Sequence, residues 1–293
     1  MEQGFFLGPM NPLLFAAVVG FCVLRRDKRK LCIRKKFEVS PEKLRKFKKN
    51  GYVVIDSAIS QHLLAACARE AELLRNDMKP GKISRGLDLE DGQTAVSVVR
   101  SDKMLWLKNQ SSSRTAALYL VQQKLDNLRM ELNKTILSSF ETSTDKCAFM
   151  LAVYPGEGKG YKRHKDATEN GGRKLTAIVY LNSDWDKRFG GCLRIWGKNA
   201  SGPAPDTIEP VGGRLVIFFS NLWHEVLPLH YNFHRTALSA FFINKQDLAK
   251  EILGEERTVQ EEKERNRAEF LEMVAKKIAL RKLLGKKKRE RKK

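Results

Sequence analysis

MLAVYPGEGKGYKRHKD (residues 150–166), KLTAIVYLNSDWD (174–186), GGCLRIWG (190–197), GGRLVIFFSNLWHEVLP (212–228) and HRTALSAFFIN (234–244) carry the pattern that decides the fold. Each run is apolar, β-branched or aromatic, and each is closed by Gly, Pro, Asn or Asp, the composition of short strands joined by tight turns. Residues 146–245 are therefore expected to form a compact all-β unit with Gly190-Gly191 and Gly212-Gly213 at strand reversals. The expected architecture is a two-sheet jelly roll, a double-stranded β-helix whose open end takes a ligand. Three side chains able to bind a metal lie in it as a doublet and a singlet: His164 and Asp166, then His224. One cation, Arg235, follows on the last strand.

Two imidazoles and one carboxylate on one face of an octahedral Fe(II) are the ligand set of non-haem iron oxygenases, and they leave positions for a chelating 2-oxo acid and for dioxygen. Alternate side chains of an extended chain share a side, so His164-x-Asp166 is expected to present both ligands together. His224 comes 60 residues after His164, so the fold must return it to them. Arg235 is suited to anchor the far carboxylate of the acid, since a guanidinium can grip both carboxylate oxygens at once. Ala237, Ser239 and Phe241 share its strand face, which places the Ser239 hydroxyl by the same carboxylate. A His-x-Asp pair alone is a frequent chance event, and His224 alone is equally well a core or surface histidine. The ordered combination with a downstream Arg is what points to a metal site. His230 and His234 sit in the polar turn before the last strand and are expected to face solvent. The Gly- and Lys-rich loop at 156–162 lacks the glycine spacing and the following helix of a phosphate cradle.

These residues give the chain a resemblance to a known family. Tyr154-Pro-Gly, Tyr161-x-x-His164-x-Asp166, Tyr180-Leu-Asn-x-Asp-Trp-Asp186, Gly190-Gly-x-Leu-Arg194, His224-Glu-Val and Arg235 resemble the Fe(II)- and 2-oxoglutarate-dependent dioxygenases of the prolyl 4-hydroxylase family. Within that family the chain is similar to the oxygen-sensing branch that modifies hypoxia-inducible factor, closely over about 100 residues and weakly upstream to Gly51. The resemblance implies proline in a protein as the hydroxylated residue, release of succinate and CO2, and L-ascorbate as the reductant that keeps iron ferrous. It also implies that Tyr154 and Tyr180 border the 2-oxoglutarate pocket with Leu193 packed beside it. Arg100, Asp102 and Arg173 match positions near the substrate entrance, Asp102 and Arg173 as a charge pair. Two departures stand out: the interval from His224 to Arg235 is slightly long for the group, and the last strand carries Phe241 where the group has tryptophan.

The rest of the chain is an address and a support. Its net charge of +21 divides unevenly: residues 25–49 hold 13 Lys/Arg against 3 Asp/Glu, residues 276–293 hold 11 against 1, and the remainder 31 against 30. The catalytic body is close to neutral, and the two flanks suit an anionic membrane, nucleic acid or acidic protein without sequence preference. Residues 5–24 are uncharged and largely apolar, which suits either a membrane anchor with the basic flank cytoplasmic or a buried or interfacial N-terminal helix. A secretory signal fits less well, because Glu2 opens the chain and no small-x-small site follows. The enzyme is then expected to face the cytoplasm, with the basic tail allowing a nuclear address. The five cysteines, Cys22, Cys32, Cys67, Cys147 and Cys192, have no metal spacing and suit reduced thiols.

Ser40-Pro41 opens a helix that stops at Asn50-Gly51, followed by a strand at 52–55. A helix over 62–76 and a longer one over 113–138, with leucines at Leu118, Leu125, Leu128 and Leu132, are expected to buttress a sheet. Residues 81–93 suit a loop, 95–99 a strand and 103–107 a short apolar piece. Residues 247–284 suit one or two helices laced with Glu–Lys and Glu–Arg pairs, with an apolar stripe at Phe270, Leu271, Val274 and Ile278. The last eight residues, KKKRERKK, are expected to be disordered. The chain thus divides into an apolar segment (1–24), a basic linker and helix (25–49), a supporting region (50–145), a dioxygenase domain (146–245) and a charged helical extension (246–293), with a monomer favoured. Two other classes remain open from sequence: an oxygenase acting on another residue type or on nucleic acid, and a non-catalytic jelly-roll binding module.

Overall fold

The computed structural model describes residues 37, 39–81, 100–168, 171–197 and 206–290. The segment 5–24, the basic stretch 25–36, residues 82–93 of the expected loop and the expected strand at 95–99 lie outside the described residues.

Helix starts follow the capping signals in the sequence. The Ser40 hydroxyl accepts from the Lys43 amide at 3.3 Å to open Pro41–Asn50 (α1), and Gly51 closes it at φ +84°. Tyr52–Ile55 (β1) follows, and Ser60 caps Gln61–Leu73 (α2) in the same way as Ser40. Ala116–Thr135 (α3) lacks a side-chain cap of its own. The Glu70 carboxylate of α2 takes that role, accepting from the Ala117 and Leu118 amides at 2.8 Å each. These are free donors of the first turn, and the positive end of the helix dipole favours the anion. Glu70→Ala should therefore lower the unfolding free energy by about 1–2 kcal/mol, the usual worth of a helix cap, read as a shift in the denaturant midpoint at unchanged slope.

The remaining strands are Lys79–Pro80 (β2), Lys103–Leu107 (β3), Lys146–Tyr154 (β4), Tyr161–His164 (β5), Arg173–Tyr180 (β6), Leu193–Ile195 (β7), Asp206–Ile208 (β8), Leu215–Phe219 (β9), His224–Val226 (β10) and Arg235–Ile243 (β11). They form a seven-stranded sheet in the order β1-β9-β6-β11-β4-β3-β2 and a four-stranded sheet in the order β5-β10-β7-β8. Pleating sorts the large sheet into two faces. Leu175, Ala177 and Val179 of β6, with Leu238, Ala240 and Phe242 of β11, pack against the Leu118, Val121, Leu125 and Leu128 stripe of α3. Ile178, Tyr180 and Ala237 point the other way and join Leu193 and Ile195 of the small sheet in a second core. The result is the expected jelly roll: helices seal one face of the large sheet, and the space between the sheets is left for the site.

The described residues form two compact units, the second made of Lys245–Glu290 (α4) with residues 171–172. α4 is one helix of 46 residues and carries side-chain ion pairs such as Glu272–Lys276 at 2.7 Å. It continues beyond Leu284 into the run expected to be disordered, because Lys and Arg are good helix formers and no proline interrupts. Phe270 and Leu271 on it are exposed. No helix among the described residues is long and apolar enough to cross a membrane.

Candidate active site

The small sheet assembles the candidate ligands. His164 ends β5, His224 begins β10, and the two are direct register partners across the antiparallel pair. Pairing of these strands closes the 60-residue interval between them. Asp166 lies not on the strand, as the alternation predicts, but in the bend after it, where its amide and that of Ala167 both donate to the Ser220 carbonyl at 2.9 and 3.1 Å. The bend serves the same end as the alternation. The Asp166 carboxylate comes to 3.8 Å from His164 Nε2 and 3.7 Å from His224 Nε2. One donor atom from each of the three residues lies within 4.8 Å of the others.

Each ligand is aimed by a second contact. His164 Nδ1 donates to the Lys162 carbonyl at 2.7 Å, and His224 Nδ1 to the Leu222 carbonyl at 2.9 Å. A proton held at Nδ1 leaves the Nε2 lone pair for a metal, the usual outer-shell arrangement. Burial, then the neighbouring His224, push His164 down to about 3, so its ring is the neutral, ligating form. Burial opposes ionisation of Asp166. His224, His164, Arg173 and the Thr176 hydroxyl outweigh it and hold the carboxyl below the usual range. Thr176 donates to Asp166 Oδ2 at 2.7 Å and contacts the Ser220 hydroxyl at 2.9 Å. Thr176→Val should weaken Fe(II) or Mn(II) binding by about 10- to 100-fold, as loss of an outer-shell partner does, in a metal titration of the purified chain.

The three ligands open on a cavity of about 250 Å³ whose wall also includes Tyr154, Leu193, Arg235, Ser239 and Phe241. Arg235 is buried in β11 and held by neutral groups. Its Nε donates to the Gly191 carbonyl at 2.8 Å, and its guanidinium carbon lies 5.1 Å from the Tyr154 ring centre and 5.0 Å from that of Tyr180. Gly191 sits at φ +70°, and a Cβ there would come within 2.9 Å of Leu229, so glycine is what lets this carbonyl reach the guanidinium. Arg235 Nη2 is buried without a hydrogen-bond partner. A buried cation with an open donor on a cavity wall calls for an anion. Three ligands and such a cation fit a metal ion and an acid that chelates it.

Tyr154, Leu193 and Ser239 are on the wall with the ligands, as are Arg100 and Arg173. Tyr180 is not on it: the residue is fully buried beneath Arg235, with its hydroxyl unpartnered. Asp102 pairs not with Arg173 but with Arg100, at 2.6 and 2.9 Å. The two residues are neighbours two apart on one side of the chain, so the local pair forms. Arg100 in turn lies 5.0 Å over Tyr161, whose ring stacks on His164 at 3.5 Å. Arg173 instead covers Phe241, its guanidinium carbon 4.7 Å from the ring centre. Met104, Trp106, Met150 and Thr176 belong to the wall and were not singled out from sequence. Thr176 had a signal, a hydroxyl at an inward position of an apolar strand. Trp106, half-exposed and tilted against Phe241 at 5.8 Å, stands at the opening.

Comparison with known proteins agrees with this geometry. Residues 149–243 match the 2OG-Fe(II) oxygenase superfamily. Human prolyl hydroxylase EGLN3 is 33% identical over 171 residues, covering 55% of this chain and 69% of that protein. Human Egl nine homolog 1 is 29% identical over 205 residues, covering 69% of this chain and 46% of that protein. The chain thus spans less than two thirds of the length of the latter. A Trichoplax adhaerens prolyl hydroxylase, solved with a hypoxia-inducible factor oxygen degradation domain peptide fragment, shares the fold at a TM-score of 0.61 and 22% identity, over 78% of this chain and 95% of that one.

Proposed function

The chain belongs to the 2OG-Fe(II) oxygenase superfamily and, within it, to the prolyl hydroxylase family, and from that membership we propose that it hydroxylates proline in a protein substrate. The carrying observation is that the two histidines, the carboxylate and the open donor of Arg235 line one cavity. The family uses Fe(II) and 2-oxoglutarate. When bound, they supply the oxidation: one atom of dioxygen goes to 2-oxoglutarate, giving succinate and CO2, and the other converts a substrate C–H to C–OH.

The chain's own residues account for the rest. His164, Asp166 and His224 would hold the metal. Arg235 would neutralise the distal carboxylate, with the Ser239 hydroxyl as a second donor on the same wall. Leu193, Val226, Ala237 and Ile178 make the inner wall apolar and exclude water. Met104, Trp106, Met150 and Phe241 present an apolar surface suited to a pyrrolidine ring, with Arg100 and Arg173 among them for polar contacts to the surrounding peptide.

Turnover that consumes dioxygen suits an oxygen-sensing role, and ascorbate suits the recovery of oxidised iron. Residues 5–24 and the basic flanks serve as tether and address on the cytoplasmic side of an anionic membrane, or toward acidic protein or nucleic acid. The catalytic body is residues 146–245, supported by 50–145, and acts as a monomer. Mass spectrometry of host proteins with and without the enzyme tests the substrate class. The expected outcome is loss, without the enzyme, of single-oxygen additions at proline, whereas losses confined to another residue type, or no loss at any protein residue, would overturn it.

A further inference from the structure

Outside the cavity, on the opposite face of the small sheet, a column of cations and indoles covers the strands that carry the metal ligands. The Arg163 guanidinium carbon lies 4.3 Å from the Trp196 ring centre and 5.0 Å from that of Trp223, and Lys165 Nζ lies 4.8 Å from Trp223. These residues alternate with the ligands: Arg163 and Lys165 flank His164, and Trp223 precedes His224. Trp196 follows Ile195, the register partner of His224 on β7, and its amide donates to the Trp223 carbonyl at 3.0 Å.

The placement matters because of how the imidazoles are aimed. Lys162 carries the carbonyl that holds His164 Nδ1, and Leu222 carries the one that holds His224 Nδ1. Arg163 is the residue between Lys162 and His164, and Trp223 the residue between Leu222 and His224. Stacking Arg163 on Trp223 therefore fastens together the middle residues of both His-orienting tripeptides, from the side away from the metal. The strands need such a fastening. β10 is three residues long, and its pairing with β5 shifts register between His224 and Val226.

We propose that Arg163, Trp223 and Trp196 are positioning residues: their cation–π stack fixes β5 against β10 and so sets the spacing of the two imidazoles toward the metal. This rests on the assignment of His164, Asp166 and His224 as the metal ligands. An Arg guanidinium stacks on two rings at once through its planar faces, which a Lys ammonium does not reproduce.

The test is Mn(II) and Co(II) titration of the full-length chain, with the Co(II) absorption spectrum recorded at saturation. Wild type, Arg163→Ala, Arg163→Lys, Trp223→Leu and His164→Ala are compared at a temperature where circular dichroism shows all of them folded. The expected result is a loss of affinity of about 10- to 100-fold in Arg163→Ala and Trp223→Leu, the scale of outer-shell effects. A smaller loss is expected in Arg163→Lys, and the Co(II) spectrum should change in each of the three. Affinity and spectrum unchanged from wild type in Arg163→Ala and Trp223→Leu would overturn the proposal, as would losses of thermal stability alone. Failure of His164→Ala to reduce Mn(II) binding would strike the ligand assignment instead, which keeps the two failures apart.

Discussion

Asp166→Ala should reduce turnover by at least about a thousandfold while the chain stays folded. Removing the carboxylate leaves two imidazoles and takes the one carboxylate from the candidate ligand set. A bound metal supplies several kcal/mol to reactions of this kind, and about 4 kcal/mol corresponds to about a thousandfold in rate. The fold loses little, because Thr176, which donates to Asp166, keeps the Ser220 hydroxyl as a partner, and the Asp166 amide bond to the Ser220 carbonyl does not involve the side chain. Succinate release at saturating 2-oxoglutarate, with a parallel thermal melt, separates the two effects. Activity near wild type would remove Asp166 from the ligand set.

Arg235→Leu should separate binding from chemistry. The cation is expected to contact the distal carboxylate of the acid, away from the reacting carbon, and to do so equally in the ground and transition states. Uniform binding of that kind sets KM and leaves kcat largely alone. Truncating one partner of a buried, hydrogen-bonded charge pair costs about 2–5 kcal/mol, so KM for 2-oxoglutarate should rise by about a hundredfold or more. The free protein should show the opposite trend. Arg235 is buried among a carbonyl and two aromatic rings, and an apolar replacement relieves an uncompensated buried charge. Its thermal midpoint should hold or rise. 2-Oxoglutarate, which should stabilise wild type by about 3 kcal/mol at a hundred times its dissociation constant, should leave the variant unmoved.

Most strands of the 146–245 unit were legible because apolar runs and the turns that close them are local, and so was the helix start at Ser40, where the cap lies beside the turn it closes. The Ser60 cap and the short strands Lys79–Pro80 (β2) and Asp206–Ile208 (β8) were not read from sequence. The ligands were legible because iron chemistry limits the residue types and the chain offers few histidines. What the sequence left unread depends on long-range approach. The bend that brings Asp166 back to His164 is held by Ser220, 54 residues away. Glu70 caps α3 from another helix, and no local pattern announces a cap delivered in space. The pairing of Asp102 was decided by competition between two cations, and the one nearer in sequence, Arg100, wins over the Arg173 suggested by resemblance. Tyr180 faces inward as its alternation requires, yet the Arg235 side chain lies between it and the cavity. The stack of Arg163 on Trp196 and Trp223 brings together β5 and the residues bordering β7 and β10, so it became visible only once those strands were paired.

The most direct test of the account is whether oxidation of 2-oxoglutarate is coupled to oxidation of proline. The full chain would be supplied with Fe(II), 2-oxoglutarate, ascorbate and proline-containing peptides under air, with succinate and peptide mass measured together. The expected result is iron-dependent succinate release matched one to one by addition of a single oxygen at proline, both lost in Asp166→Ala. No iron-dependent consumption of 2-oxoglutarate, or consumption that persists unchanged in Asp166→Ala, would contradict it.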